Sequence, residues 1–412
     1  MTKRIFGALI AASLLFACGQ PDEPVSTDPG VDLDAEAQRI AQDALIIDTH
    51  IDVPYRLNEQ PDDISKATEG GDFDYPRAVA GGLNVPFMSI YTPAEFEAEG
   101  TSKQTADALI DMVEGFVTNW PDKFAIATSS SDVHAHFEAG LMSLPLGMEN
   151  GSPIEGDMAN LQHFYDRGIR YITPAHSLSN HISDSSYDEN RQWNGLSEFG
   201  ADVIREMNRL GIMVDVSHVS DDAFWQIIDI SAVPVIASHS SARHFTPGFE
   251  RNMSDEMIVA MAEKGGIIMI NFGSTFITQE ARDYSDARTA AGKEYAKQHP
   301  DFTQNDMWTK FPAIYAEEHG PLPFATLDDV LDHFDHVVKL TSVDSVGIGS
   351  DYDGVGDSLP IGLKDVSTYP NLVKGLLERG YSEADIRKIL GGNLLRVWKA
   401  AEDYAATTSS ST

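Results

Sequence analysis

The stretch ALIIDTHIDV (residues 44–53) joins a predicted buried strand to two residue types that bind metal ions. Its first half is a compact apolar run, which is typical of a parallel strand covered on both faces. Its second half carries His50 and Asp52, which point to the same side of an extended segment because strand side chains alternate. The stretch therefore predicts a parallel α/β fold with metal-ligating side chains at its strand ends.

Seven more apolar runs of this kind follow, with helical periodicity between them. One predicted helix covers residues 254–266, with Ser254 as its N-cap. The eight predicted strands are residues 44–48, 83–90, 143–148, 169–173, 212–216, 234–238, 266–271 and 345–349. This alternation predicts a closed (β/α)8 TIM-type barrel, with an open doubly wound sheet as the alternative. Insertions at residues 91–133 and 276–324 are expected on the catalytic face.

Composition narrows the class of protein. The chain has 412 residues, 42% of them hydrophobic, which excludes a disordered chain, a collagen-like fibre and a polytopic membrane protein. It carries 64 Asp and Glu against 29 Lys and Arg, a net charge of −35. Because phosphate backbones are bound by clusters of basic residues, this balance argues against nucleic acid as a partner.

The N-terminus resembles a secretory signal. Lys3 and Arg4 precede an apolar run that is too short to span a bilayer and ends before Cys18. LFAC (residues 15–18) resembles a bacterial lipobox, and an ordinary signal peptide with an incidental cysteine is the alternative. Cys18 is the single cysteine, so an intrachain disulfide and a thiol nucleophile are excluded.

These features predict four segments along the chain. Residues 1–17 are expected to be a signal peptide and Cys18 the lipidated first residue of the mature protein, while residues 18–36, rich in Pro, Asp and Ser, read as a flexible tether. Residues 37–405 form one catalytic barrel domain, and residues 406–412 are a disordered tail. We therefore expect a protein of the bacterial cell envelope that contacts a membrane only through its lipid anchor.

Carboxylates and imidazoles recur where the other predicted strands end. These residues are Glu149, His176, His218, His239 and Asp351. His218 and His239 follow runs that should be buried, so each must be hydrogen-bonded or coordinated. Such a ligand set suits zinc in a catalytic site with an open position for water. His50 and Asp52 are candidates for one ion, His218 and His239 for a second, and Glu149 shared between them would complete a binuclear centre.

The remaining histidines are predicted to be structural residues. His134 and His136, and likewise His333 and His336, fall on predicted outer helices rather than at strand ends. The i,i+3 spacing of His333 and His336 could place both on one helix face. We therefore expect no metal at these positions.

Longer motifs around the same residues point to a family. The motifs are IDTHIDVPYRL (47–57), GGLNVPFMSIYTP (81–93), LGMENG (146–151), GIRYITPAHSLSN (168–180), VDVSHVS (214–220), SAVPVIASHSSAR (231–243), RNMSDE (251–256), VGIGSDYDG (346–354) and GGNLLRVW (391–398). These motifs stand in the family's order and cover nearly all of residues 37–398. By them the chain resembles the membrane (renal) dipeptidase family of zinc metallopeptidases, and its N-terminus suggests a bacterial lipoprotein member. That family's fold is an amidohydrolase-like barrel.

The resemblance implies two zinc ions per chain and a ligand for each position. By this likeness His50 and Asp52 bind the first zinc, and His218 and His239 hold the second. Glu149 bridges the two ions. A homodimer is also expected from the family alone.

The resemblance further implies how a dipeptide is bound and cleaved. His176 would steady the carbonyl oxygen, Arg251 would bind the substrate carboxylate, and Asp351 would handle protons near the first metal. A metal-bridging hydroxide would then attack the peptide bond. Two alternatives stay open: a related barrel hydrolase acting on another amide, a lactone or an ester, and a non-catalytic, lipid-anchored binding protein. Residues 276–324 depart from the animal enzymes, so the resemblance does not predict the rim of the substrate pocket.

Overall fold

The computed structural model describes Met1 and residues 32–409, apart from the side chains at positions 304, 305, 308 and 409. The predicted signal peptide and Cys18 therefore lie outside the described residues, except for Met1. The strands are β1 (Ile46–Ile51), β2 (Leu83–Tyr91), β3 (Phe124–Ile126), β4 (Met142–Leu144), β5 (Leu146–Glu149), β6 (Ile169–Thr173), β7 (Met213–Val214), β8 (Ile236–Ser240), β9 (Ile267–Ile270) and β10 (Val346–Ile348).

Helices alternate with most of these strands. They are α1 (Leu33–Asp43), α2 (Val53–Glu59), α3 (Tyr75–Gly81), α4 (Glu95–Glu99), α5 (Ser102–Asn119), α6 (Ser130–Ala139), α7 (Met158–Asp166), α8 (Glu198–Leu210), α9 (Asp221–Ile230), α10 (Asp255–Glu263), α11 (Ser274–Ile277), α12 (Gln279–Gln298), α13 (Gln304–Thr309), α14 (Phe311–His319), α15 (Leu327–Leu340), α16 (Tyr369–Glu378), α17 (Glu383–Arg387) and α18 (Asn393–Ser409). In residues 32–409 no helix combines the length and the apolar character that crossing a membrane requires.

The strands form a curled, parallel arrangement in two main sheets. The first sheet has the order β1-β2-β5-β6-β7 and the second the order β10-β9-β8, and every pair in both is parallel. Single parallel bridges join the two sheets, between Asp215 and Ile236 on one side and between Ile51 and Tyr352 on the other. The parallel α/β class is confirmed, whereas the regular ladders of the described residues do not run as one closed barrel.

All eight predicted strands have a counterpart: the strand predicted at residues 169–173 is β6 with the same bounds, and the others have one or both ends shifted. The predicted strand 143–148 is divided into β4 and β5 at Pro145, which lacks the N–H that a continuous ladder needs. β4 pairs instead with β3, which lies inside the first predicted insertion. The domain is also longer than expected: α1 begins within the predicted tether because Asp32 caps it, and α18 extends to Ser409 within the predicted tail.

Side chains of the C-terminal helix α18 pack into the interior of the curled sheets. Trp398 of α18 is fully buried and its ring lies 5.4 Å from that of Phe87 on β2. Tyr171 on β6 lies 5.5 Å from Phe87 in the same apolar cluster. Ala127 and Val133 of the first predicted insertion belong to this cluster too, and the Ser130 N–H donates to Glu402 of α18, so this part of the insertion packs against the C-terminal helix and not on the catalytic face. The second predicted insertion contains α11 to α14, which lie between β9 and β10 in the sequence.

Candidate metal centre

Histidines and carboxylates from five elements meet at the carboxyl ends of the strands. His50 and His239 are the penultimate residues of β1 and β8, and Glu149 is the last residue of β5. The sequence predicted the ends of β1, β5 and β8 three, one and two residues too early. His218 follows β7 in a left-handed conformation with φ 67°. Asp52 is the N-cap residue of α2 and not part of an extended segment, which corrects the reason given for its pairing with His50.

Glu149 lies at the centre of the group. Its Oε2 is 3.3 Å from His50 Nε2. Its Oε1 is 3.0 Å from His218 Nε2 and 3.3 Å from His239 Nε2. On the other flank, Asp52 Oδ2 lies 3.5 Å from His50 Nε2. The structure thus brings the five predicted ligands together, with the two oxygens of one carboxylate directed toward different imidazoles.

These polar groups are buried and incompletely hydrogen-bonded. His50 and His239 are inaccessible to solvent, and Glu149, Asp52 and His218 are buried as well. Among the buried atoms without a hydrogen-bond partner are Nε2 of His50, Oδ1 of Asp52 and Nδ1 of His218. Because a buried polar atom without a partner is costly, the unsatisfied Nε2 of His50, which faces Glu149 and Asp52, fits a bound cation. The side chains of the centre match the N/O ligand set of zinc and related divalent metals.

The charges of the centre also fit a bound cation. Burial lowers the pKa of His218 and His239 well below the usual range, so both imidazoles are neutral, as metal ligands must be. Burial alone would raise the pKa of Glu149, but the neighbouring imidazoles, His50 first, outweigh it and hold this pKa well below normal. Glu149 is therefore an anion that attracts a positive charge.

A second set of contacts orients the ligands. The Tyr171 hydroxyl lies 2.8 Å from His50 Nδ1, and Ser238 Oγ lies 2.7 Å from His239 Nδ1. Such partners fix which ring nitrogen is free for a metal. A Cβ on Gly147 would lie 2.0 Å from the Tyr171 ring, so only glycine at this position lets the tyrosine reach His50. Sequence reasoning missed Tyr171, whose only signal was a phenol hydroxyl in a strand that was predicted to be buried.

Two buried aspartates hold the strand ends in place and were also missed. Asp215 accepts hydrogen bonds from the backbone N–H groups of Ser217 and Ser238, at 3.0 and 2.7 Å. Asp48 accepts from the backbone N–H groups of His50 and Ser350, at 3.1 and 3.0 Å. Since each aspartate ties neighbouring strand ends together, it positions the histidines beside it.

Asp351 joins the centre beside Asp52. One oxygen from each carboxylate and one His50 nitrogen lie within 4.8 Å of one another. Burial, and next the charge of Asp52, raise the pKa of Asp351 well above its usual range. Asn271 Nδ2 donates to Asp351 Oδ2 at 2.7 Å. A Cβ on Gly354 would lie 2.2 Å from both carboxylates, so this loop closes over the pair only because position 354 is glycine.

His176 and Arg251 complete the set of predicted site residues. His176 Nε2 lies 3.5 Å from Glu149 Oε1, and its side chain is 20% exposed, more than any of the five predicted ligands. Burial lowers the pKa of His176. Arg251 is buried and donates to Ser240 Oγ at 2.6 Å and to the His239 carbonyl at 2.8 Å, while its Nε has no partner. The guanidinium is thus fixed and keeps free donors.

The sequence matches a known family over most of its length. The profile of the membrane dipeptidase family (peptidase family M19) matches residues 34–412. An uncharacterized dipeptidase from Schizosaccharomyces pombe is 32% identical over 378 residues, which are 87% of this chain and 81% of the yeast protein.

Solved structures have the same fold. The probable dipeptidase PvdM from Pseudomonas aeruginosa aligns with a TM-score of 0.80 at 25% identity, over 90% of this chain and 99% of that one. A metallopeptidase from Rhodobacter sphaeroides, liganded with a phosphinate mimic of the dipeptide L-Ala-D-Ala, aligns with a TM-score of 0.71 at 24% identity, over 87% and 99%. With its buried His/Glu metal-binding cluster, this chain belongs to the membrane dipeptidase family of metallopeptidases, family M19.

Proposed function

We propose that this metallo-dipeptidase cleaves dipeptides at a centre of two zinc ions. The observation that carries the proposal is the position of Glu149, whose two oxygens lie 3.3 Å from His50 and 3.0 Å from His218. His50, Asp52 and Glu149 would hold one ion. Glu149, His218 and His239 would hold the other. Bound there, two cations supply Lewis-acid activation of a carbonyl and of a water molecule.

The chain's own residues supply the proton transfers and the hydrogen bonds. Asp351, whose raised pKa favours proton uptake, would accept a proton from the attacking water and deliver it to the leaving amine. Asn271 holds this carboxylate through Oδ2. His176, on the more exposed side of the cluster, would donate a hydrogen bond to the carbonyl oxygen in the transition state.

Arg251 would select dipeptides over longer peptides. A guanidinium binds a carboxylate through two parallel hydrogen bonds, which a lysine does not reproduce. Arg251 is held by Ser240 and His239 beside the metal ligands, which supports a free carboxylate one residue beyond the cleaved bond. The dipeptide mimic in the Rhodobacter neighbour supports a substrate of the same size, with L,D-dipeptides included.

A metal-restoration screen tests the proposal. Chelated protein would be assayed before and after addition of zinc, on L,L- and L,D-dipeptides, a tripeptide and a lactone. We expect zinc to restore dipeptide cleavage at about two ions per chain, with little action on the tripeptide or the lactone. Restoration by one ion would contradict the binuclear centre, and a preference for the lactone would contradict the dipeptidase activity.

Variants separate the roles of the residues. Arg251→Lys should raise KM for dipeptides and leave the zinc content unchanged. His176→Asn should lower kcat and also keep both ions. Loss of zinc from the His176 variant would instead make this residue a ligand, because its Nε2 also lies near Glu149.

We also propose that the two sheets together form the closed eight-stranded barrel of the family. The single bridges at Asp215–Ile236 and Ile51–Tyr352 support it, because they lie where the sheets would join. The backbone N–H of Val216 donates to the Ile236 carbonyl at 2.7 Å, and that of Asp52 to the Tyr352 carbonyl at 2.9 Å, so each join has at least one good hydrogen bond.

The proposed location is the bacterial cell envelope, with the protein anchored through lipidated Cys18. The support is the basic start, the short apolar run and the LFAC sequence at residues 15–18. Labelled fatty acid should be incorporated into the wild-type chain and not into Cys18→Ala, and the variant should be released from membranes. Labelling that persists in the variant would exclude Cys18 as the anchor.

A further inference from the structure

A second cluster of metal-ligating side chains lies outside the dipeptidase centre. His244 belongs to the short 3₁₀ turn Arg243–Phe245 after β8, Asp255 is the first residue of α10, and His336 lies on α15. One potential ligand atom from each lies within 4.8 Å of the other two. None of the three is used in the proposed reaction.

The geometry of this cluster is held by its surroundings. His336 Nε2 lies 2.8 Å from Asp255 Oδ1, and the rings of His244 and His336 stack with centroids 4.3 Å apart. The turn that carries His244 is fixed because Arg243 makes a bidentate ion pair with Asp221, at 2.6 and 2.7 Å. Three separate elements therefore present the side chains without a large entropic cost of assembling them.

The cluster is open to solvent on one side. His244 is exposed, and the side chains of Asp255 and His336 are 39% and 15% exposed. An ion can thus enter without opening the fold, and the net charge of −35 favours the approach of cations. Two imidazoles and one carboxylate form a borderline ligand set, which prefers Zn²⁺, Ni²⁺ or Cu²⁺ to Ca²⁺ or Mg²⁺.

We propose that His244, Asp255 and His336 form a separate binding site for one divalent transition-metal ion, with water in the remaining positions. The ion would replace the proton between His336 and Asp255. It would also link the two ends of the segment between residues 244 and 255, which carries Arg251. The metal site itself does not rest on the proposed function. Only the role of Arg251 in substrate binding does.

The site is tested on protein whose dipeptidase centre is already filled with zinc. Ni²⁺ is titrated into this protein by equilibrium dialysis with metal analysis, and Cu²⁺ is added at one equivalent for electron paramagnetic resonance. We expect one additional equivalent of Ni²⁺ per chain and a copper spectrum with nitrogen ligands. His244→Ala and His336→Ala should each weaken the additional binding by at least about tenfold.

His134→Ala is the matched control, because His134 is an exposed histidine on α6 outside any described cluster. It should bind the additional ion like the wild type, and zinc in the dipeptidase centre should stay constant in all three variants. No additional equivalent in the wild type, or equal binding in the His244 and His336 variants, would overturn the site.

Hydrogen exchange tests the effect on the segment independently of activity. Adding Ni²⁺ should slow exchange at residues 246–254 in the wild type and leave it unchanged in His244→Ala. If the wild type binds the ion and this segment exchanges as before, the proposed effect of the ion on the segment is wrong. The dipeptidase proposal would be unaffected.

Discussion

Two fully buried histidines, His239 at the end of β8 and His333 in α15, have opposite surroundings. His333 Nδ1 accepts a hydrogen bond from the Ala242 backbone N–H at 3.1 Å, and its Nε2 donates to the Ile277 carbonyl at 3.0 Å. His239 Nδ1 is bonded to Ser238, but its Nε2 meets only Glu149 and another imidazole. Burial is equal in the two, so it does not identify a ligand. What distinguishes His239 is a ring nitrogen that points at other ligands.

The same contrast holds for two pairs of carboxylates. Asp72 and Asp353 each accept the other's backbone N–H, at 2.8 and 2.6 Å, and Arg56 binds Asp353 as well. Asp52 and Asp351 lie together beside His50, and Asp52 Oδ1 has no partner. The first pair is satisfied by hydrogen bonds and by Arg56, whereas Asp52 in the second pair keeps an oxygen free for the proposed cation.

The largest effect is expected when a histidine with a convergent nitrogen is replaced. His239→Asn should lower dipeptide kcat/KM by more than about 10²-fold, because losing a direct ligand costs more than losing a partner of a ligand. Zinc content should fall in parallel, since one of the two proposed ions loses a ligand. Metal analysis and dipeptide assays on the same preparation check this result. Full zinc content and full activity in the His239→Asn variant would show that His239, like His333, is not a metal ligand.

A smaller loss is expected when only the partner of a ligand is removed. Tyr171→Phe keeps the ring against Phe87 and removes the hydroxyl 2.8 Å from His50 Nδ1. Metal affinity should fall about 10–100-fold, measured by competition with a chelator. Tyr381→Phe, which removes a hydroxyl bonded to Asp335 on an outer helix, should leave the affinity unchanged.

The contrast also explains how much the sequence could predict. Apolar runs located all eight strands, and the residues at their ends gave the whole cluster, because parallel strands bring their carboxyl ends to one side. Tyr171 was beyond reach because it lies 121 residues from His50, and nothing local shows which ring nitrogen it meets. The proposed second metal site would overturn the expectation that His336 is structural, and its partners were also beyond reach because they lie on the turn after β8 and on α10.

For His333 the expected effect is on stability and not on the metal. Burial lowers the pKa of His333 to about 4, so the ring is neutral; besides packing on Phe245, it makes two backbone hydrogen bonds. His333→Asn keeps at most one of them, which should cost about 1–3 kcal/mol in the free energy of unfolding. The urea midpoint of the zinc-loaded protein measures this loss. Zinc content and kcat/KM should match the wild type, and a loss of zinc would show that this histidine supports the centre after all.

The smallest effect concerns the satisfied carboxylate pair and depends on pH. Burial, and next the charge of Asp353, raise the pKa of Asp72 to about 7 from its usual 3.8. The folded protein therefore binds this proton more tightly than the unfolded chain, so the contribution to stability is complete below pH 4 and is lost as the pH rises through 7. Asp72→Asn mimics the protonated form and should be less sensitive to pH.

Relative to the wild type, the Asp72 variant should gain on the order of 1 kcal/mol between pH 5 and pH 8, a value reduced for the partial exposure of this side chain. Thermal unfolding at both pH values measures the difference, with the exposed Asp122→Asn as the control that should gain nothing. If the two variants show the same pH dependence, then Asp72 is ionised in the folded protein throughout this range. Asp72 would then be an anion beside Asp353, as Asp52 is proposed to be beside Asp351, and the contrast between the two carboxylate pairs would be lost.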